Sequence, residues 1–447
     1  MNLDRLSGIV GATHVSTDPD VLAARTVDWT GRYRGNARAL VRPADTEQVA
    51  AVLAACREAG ACVTVQGGRT SLVAGTVPEH DDVLLSTERL TDIGAVDTAE
   101  HTLRVGAGVT LAAVHQAAQA EGLLFGVDIA ARDSATVGGM AATNAGGLRT
   151  VRYGSMREQV LGLEVALPDG SVVRRHAHVR CDNTGYDLPA LFIGSEGTLG
   201  VITAVDLRLR SAPTHRVTAL CGFDDLDALV AAGRQLRGID AIAALELIDG
   251  RGAALASEHL GASAPVRGDW LMLAELAADA DPTDRLAAEL EAMPLVGQPA
   301  VGVDTATQHR LWQLRESMAD VMSLFGPPLK FDVSLPLSAI AGFSSGADAL
   351  VAEQAPDALP VLFGHIGEGN LHLNVLRCDT AGEQAIYAAM MELIAAHGGN
   401  VSSEHGVGSR KRAYLSMSRS PEDIAAMRTI KAAFDPTGYL NPSVLFD

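Results

Sequence analysis

Apolar residues recur along the chain at two periods. In EQVAAVLAACREA (47–59) they fall at helical spacing, with Thr46 and Glu47 supplying the cap and first turn and Gly60 the stop. The same spacing predicts helices over 110–121, ended by Gly122, over 285–293 and over 309–324. Short apolar runs predict strands at 61–65, 83–86 and 103–105, and prolines 327, 328 and 336 frame another run at 329–335. Leu371, Leu373 and Val375 alternate with His372, Asn374 and Leu376, and that period of two is a strand. Glycine-dense loops at 66–75, 138–154 and 194–200 crowd the first half. The pattern changes near 211–214, and glycine with histidine returns at 364–369 and 398–408. The reading is a first domain over 1–211, a second over 212–400, and a segment over 401–447 that packs on the first.

The 447 residues suit two or three domains, and with 47% hydrophobic and 20% charged residues wholesale disorder is excluded. Lys and Arg total 35 against 54 Asp and Glu, a formal charge of −19. So acidic a chain is a poor partner for nucleic acid or an anionic membrane, and an anionic substrate would need a local cluster of cations. Five cysteines (56, 62, 181, 221 and 378) without a C-x-x-C argue against a disulfide framework, an iron–sulfur cluster or a cysteine zinc site. The first residues lack a basic-then-apolar leader, and no apolar run nears the roughly 18 residues of a membrane span. The expectation is a cytoplasmic protein with no integral membrane segment; a homodimer is only a prior.

Three loops carry candidate binding chemistry. In Gln66-Gly67-Gly68-Arg69-Thr70-Ser71, running on to Gly75, adjacent glycines let successive backbone N–H groups point into one concavity that suits a phosphate, and two hydroxyls add donors. It is neither a Walker loop nor a dinucleotide G-x-G-x-x-G. The second loop, from Ser134 and Thr136 through Gly138 and Gly139 to Asn144 and Gly147, is small for nearly its whole length, which admits a flat ligand or another backbone. The third contains Glu196, Gly197 and Gly200 and runs into a strand at Ile202. These loops in this order, with Tyr153-Gly154 and VLGLEV (160–165) between them, resemble the FAD-binding domain of vanillyl-alcohol-oxidase (PCMH)-type flavoproteins over about 27–210. The resemblance implies that the first loop holds the FAD pyrophosphate, that the second and third line the flavin and adenosine, and that Asn441 belongs to the same site. No His or Cys stands in the first loop, so the FAD is expected to be non-covalent.

The segment HIGEGNLHLN carries the second constellation. A two-residue turn at Glu368-Gly369 would pair His365 with His372 on one face, with Asn374 one pleat further along. Two imidazoles so placed, with Glu404 of SSEHG as third ligand, leave coordination positions open, which suits zinc, or manganese or iron. HIGEGNLHLN, SSEHGVGSRK and FDPTGYLNP together resemble the C-terminal half of the FAD-dependent D-2-hydroxyacid dehydrogenases, the D-lactate, glycolate and D-2-hydroxyglutarate group. That resemblance implies an α+β fold with a PCMH-type domain and a substrate (cap) domain built on an antiparallel sheet. It implies metal ligands His365, His372 and Glu404, a catalytic base at His405, and Arg315, Lys330 and Asn374 on the substrate. The expected reaction turns a small anionic D-2-hydroxyacid into a 2-oxoacid and passes electrons to an external acceptor: an electron-transfer flavoprotein, a quinone or a partner subunit. Ala319 stands where hydroxyglutarate enzymes carry threonine, which weakens the case for a second substrate carboxylate. On the residues alone, Arg315 reads first as a surface partner of Glu316 or Asp320, while Arg132 would either neutralise a charge near the flavin or pair with Asp128. The competing functions are a metal-dependent hydrolase, a flavin-dependent transferase of the alkyl-dihydroxyacetone-phosphate synthase type, and a glycolate oxidase subunit that needs partner chains.

Overall fold

A computed structural model of the chain describes residues 2–176, 182–378 and 382–446; Cys181 lies outside them. The chain divides into two compact units, one made of Met1–Gly146, Tyr153–Ala212 and Glu404–Asp447, the other of Gly147–Arg152 and Pro213–Ser403.

In the first unit, strands β1 (Val15–Ser16), β2 (Ala37–Val41), β3 (Val63–Gln66) and β4 (Asp82–Ser86) form a sheet ordered β1-β2-β4-β3. β2 and β3 run parallel to β4, while β1 is antiparallel to β2. The helix Thr46–Glu58 covers this sheet with Val49, Val52, Leu53 and Cys56, which pack on Val63, Val83 and Leu85. Its cap is Asp45, whose side chain accepts from the Gln48 N–H at 2.7 Å, so the helix begins at the residue the sequence assigned to capping. β5 (Thr102–Gly106), β6 (Leu123–Phe125), β7 (Val160–Ala166), β8 (Val172–Arg175) and β9 (Val201–Ser211) form a second, antiparallel sheet ordered β5-β9-β7-β8, with β6 also on β9. The helix Leu111–Ala120 is capped by Thr110 and lays Leu111, Val114 and Ala118 into its core.

The second unit is built on one antiparallel sheet of β10 (His215–Phe223), β11 (Ile242–Asp249), β12 (Trp270–Ala278), β13 (Ala300–Gly302), β14 (Leu329–Ser334), β15 (Leu359–His365) and β16 (Asn370–Leu376), ordered β13-β10-β12-β11-β15-β16-β14. Strands buried on both faces explain the near-continuous apolar runs of β11 and β12. On one face, Ala244, Ile248, Leu271, Leu273, Val361 and Phe363 share a core with the helices Gly250–Leu260, Thr305–Glu316 and Met318–Ser323. On the other, Phe331 stacks on Tyr387 of the helix Glu383–Ala396, with ring centroids 4.9 Å apart. The helix expected over 309–324 is broken at Ser317, whose hydroxyl turns back to the Leu314 carbonyl at 2.8 Å.

Candidate active site

The glycine loops lie in the first unit. The first leaves the end of β3, where buried Gln66 donates through Nε2 to the carbonyls of Arg25 (2.8 Å) and Thr76 (2.9 Å). Gln66 thus braces the loop. Arg69 has a left-handed φ of 57° and donates to the Ala24 carbonyl at 2.8 Å, while the Ser71 hydroxyl accepts from Val73 N and Gly75 N. Among the described residues, no hydrogen bond is donated by the backbone N–H groups of 67–71, Thr70 included. A run of available N–H groups around a left-handed residue is an anion nest.

The second loop packs directly on the first. A Cβ on Gly67 would stand 2.5 Å from Thr136 Oγ1, and one on Gly68 would stand 1.9 Å from the Ser134 carbonyl. The buried Thr136 hydroxyl has no hydrogen-bond partner among the described residues. Other small residues here serve packing. A Cβ on Gly138 would meet that of Ala107 at 2.5 Å, and the Gly139 carbonyl accepts from the Thr143 hydroxyl at 3.1 Å. Asn144, at φ 55°, accepts through Oδ1 from Ser155 Oγ and Arg157 N, both at 2.9 Å. The Tyr153 side chain fills the space beside Gly126. Gly147 falls in the second unit. Arg132 pairs with Asp128 at 2.5 Å, the structural alternative of the two it offered.

In the third loop Glu196 accepts from Val407 N and Gly408 N, each at 2.8 Å. Burial pushes its carboxyl above the ordinary range, opposed by those two N–H groups and by Lys411. Asn441 ties this loop to the first, accepting from Val65 N and donating to the Glu196 carbonyl, each at 2.8 Å. A Cβ on Gly197 would stand 2.6 Å from Asn441 Nδ2, and one on Gly200 would stand 2.6 Å from Val165 Cγ1; Ile202 is buried on β9. The available N–H groups of 67–71 and the unpartnered Thr136 hydroxyl fit the pyrophosphate of FAD; Gln66, Asn144 and Asn441 hold the loops that present them.

The other constellation lies on one face of the second unit's sheet. In the β15–β16 hairpin His365 faces Asn370, Phe363 faces His372 and Val361 faces Asn374. The two-residue turn is therefore replaced by the four-residue loop 366–369, and the histidines are diagonal rather than directly opposed. A shift of two preserves the pleat, so both rings stay on one face, their centroids 5.4 Å apart and their planes at 89°. β14 adds Lys330 opposite Asn374 and Asp332 opposite His372, and β11 adds Glu246 opposite His365.

Glu246 is fully buried; its Oε1 lies 2.7 Å from His365 Nδ1, and its Oε2 accepts from Arg315 Nε at 2.6 Å. Arg315 lies in the last turn of the helix Thr305–Glu316 at 6% exposure, with its guanidinium 5.0 Å from the Phe363 ring centroid. It is not the surface side chain of the alternative reading. Asp332 and His372 present ligand atoms within 4.8 Å of each other. Asp332 Oδ2 also accepts from Ser403 N at 2.9 Å and from Ser402 Oγ at 3.2 Å. Glu404 and His405 follow Ser403 without a break, with His405 Nε2 3.9 Å from Glu404 Oε1. Imidazole and carboxylate are the donors a catalytic zinc or a related divalent ion takes. Glu246 and Asp332 were missed in the sequence. The available signal was an acid in the interior of each apolar strand, IAALELID and LKFDVS.

Comparison with known proteins places both parts of the chain among FAD-linked enzymes. The family model for the C-terminal domain of FAD linked oxidases matches 212–445, and that for an FAD binding domain matches 37–175. The mitochondrial D-2-hydroxyglutarate dehydrogenase of Bos taurus is 39% identical over 96% of this chain and 80% of its own. The D-2-hydroxyglutarate dehydrogenase of Xanthomonas citri pv. viticola is 37% identical over 99% and 96%. Among solved structures, p-cresol methylhydroxylase with substrate bound superposes with a TM-score of 0.82 at 18% identity, covering 100% of this chain and 96% of that one, which shows a shared α+β, PCMH-type fold.

Proposed function

The chain belongs to the FAD-linked D-2-hydroxyacid dehydrogenases, oxidoreductases that use FAD to oxidise a D-2-hydroxyacid, and on that premise we propose that the polar sheet face of the second unit holds the substrate. The observation that supports this reading is the row formed by Lys330, Asn374, His372 and His365, together with the nearly buried Arg315 held by Glu246. In a chain of net charge −19, fixed cations on such a face serve an anion.

His365, His372 and Glu404 would hold a divalent ion, zinc by donor set, with manganese and iron also suited. When bound, FAD supplies a two-electron acceptor and the ion a Lewis acid. Arg315 and Lys330 fix the substrate carboxylate, which gives the Cα–H bond one orientation. Asn374 donates its amide to a substrate oxygen. His405 takes the hydroxyl proton as general base, a role worth about 10²–10⁴-fold. The Cα–H bond breaks with its electron pair as the hydroxyl becomes a carbonyl, and the 2-oxoacid leaves; the electrons pass on to an external acceptor. The names of the relatives favour D-2-hydroxyglutarate, whereas Ala319 favours a shorter acid such as D-lactate or D-malate.

Anaerobic mixing of the yellow protein with D-lactate, D-malate, D-2-hydroxyglutarate and glycolate, with L-isomers as controls, tests the reading. One D-acid should bleach the flavin band; EDTA should abolish the bleaching and added metal restore it. Bleaching that survives full metal removal would rule out the metal role. A flavin that no hydroxyacid bleaches would rule out the substrate class.

A further inference from the structure

We propose that Glu246 is a positioning residue for two groups at once: it orients His365 as a metal ligand and Arg315 as the carboxylate anchor, so that both depend on one buried side chain. This rests on the proposed roles of His365 and Arg315.

The geometry comes from strand register. Glu246 stands directly opposite His365 across β11 and β15, so the two side chains rise from the same face. Its carboxylate is fully buried and divides its oxygens, Oε1 to His365 Nδ1 at 2.7 Å and Oε2 to Arg315 Nε at 2.6 Å. A carboxylate oxygen accepts, so the bond to Glu246 places the hydrogen of His365 on Nδ1 and the ring's lone pair on Nε2. A carboxylate behind a ligating histidine fixes its tautomer and ring orientation, and losing such a partner costs 10–100-fold in metal affinity as a rule.

The second bond uses Arg315 Nε. Among the described residues the two Nη groups donate to no side chain or carbonyl, which leaves the fork of the guanidinium for a carboxylate. The Phe363 ring, 5.0 Å from the guanidinium carbon, fixes its plane from another side. Neutralising Glu246 would therefore disturb ion and anion sites together. A residue that merely filled space would disturb neither selectively.

The test compares Glu246→Gln, Glu246→Asp, Arg315→Lys and His365→Ala in the full chain loaded with FAD. Zinc affinity is measured without substrate, by competition with a chromophoric chelator, and KM and kcat are measured for the D-acid that bleaches the wild type. Glu246→Gln should retain FAD, bind zinc about 10–100-fold more weakly, and show a raised KM. Glu246→Asp keeps the charge and should recover part of the zinc affinity. Arg315→Lys should raise KM and leave zinc affinity alone. If Glu246→Gln fails to retain FAD, the aspartate variant decides: zinc affinity and KM both at wild-type values would overturn the proposal. Glu246→Gln with unchanged zinc affinity and KM but a lower melting temperature would overturn it as well. If His365→Ala binds zinc as the wild type does, the underlying metal assignment falls; if His365→Ala loses zinc and Glu246→Gln keeps it, only the role of Glu246 falls.

Discussion

Arg315 and Ala319 stand on either side of the break at Ser317, one nearly buried and one exposed. Arg315 is held at Nε and can grip one carboxylate with its remaining nitrogens. Ala319 offers no hydroxyl for a second. Ala319→Thr restores that group at an exposed helical site, where the threonine costs no more than about 0.7 kcal/mol. A hydrogen bond to a charged partner is worth about 1.5–3 kcal/mol, so kcat/KM for D-2-hydroxyglutarate relative to D-lactate should rise about tenfold or more. Competition between the two acids at equal concentration reads the ratio directly; an unchanged ratio would place the distal carboxylate away from residue 319. Residue types were the legible part of this site, since an arginine and two histidines advertise their chemistry in any context. Partners were not legible. Arg315 could as well have paired with Glu316 or Asp320, and what decides is Glu246, brought 69 positions along the chain to its side by the sheet.

Individual strands and helices were readable because their patterns are local. The helix Thr46–Glu58 and strand β4 (Asp82–Ser86) lie within one residue of their expected starts. The hairpin register was not readable, because a distant segment sets it. The Leu335 N–H donates to the Gly369 carbonyl at 2.9 Å, and a Cβ on Gly369, whose φ is 73°, would stand 2.2 Å from the Leu335 carbonyl. That contact pins a four-residue loop where a two-residue turn was expected, while the pleat kept the right residues on the right face. The C-terminal stretch is a second case of long-range support. Val63 N donates to the Tyr439 carbonyl and Asn441 N to the Val63 carbonyl, so these residues extend the β3 edge. Asn441 then spans from Val65 N to the Glu196 carbonyl, and Lys431 donates to the carbonyls of Thr198 and Leu440 at 2.8 Å each. Asn441→Ala should therefore act on two glycine loops together, lowering unfolding stability by about 2–4 kcal/mol through two lost bonds. Flavin release in denaturant should move to lower concentration with it. A variant as stable as the wild type that still loses FAD would instead assign Asn441 to the cofactor itself.

At the scale of the whole molecule the charge opposes the chemistry. The chain carries −19 formal charges, and its proposed substrate is an anion. The net field reaches as far as the Debye length, about 30 Å at 0.01 M salt and about 8 Å at 0.15 M. The proposed contacts to Arg315 and Lys330 act at hydrogen-bond range beside nearly buried groups, where salt screens little. Raising salt should thus remove the repulsion and spare the anchor. The expected outcome is a rise in kcat/KM for the D-hydroxyacid between about 0.01 and 0.15 M salt, carried by KM, with kcat constant. Repeating the series with a salt of a bulky anion controls for competition at the cationic site, because an anion that occupies Arg315 would lower kcat/KM at every ionic strength. A kcat/KM that falls in both salts would mean that the local field of Arg315 and Lys330, screened as salt rises, draws the substrate in against the charge of the rest of the chain.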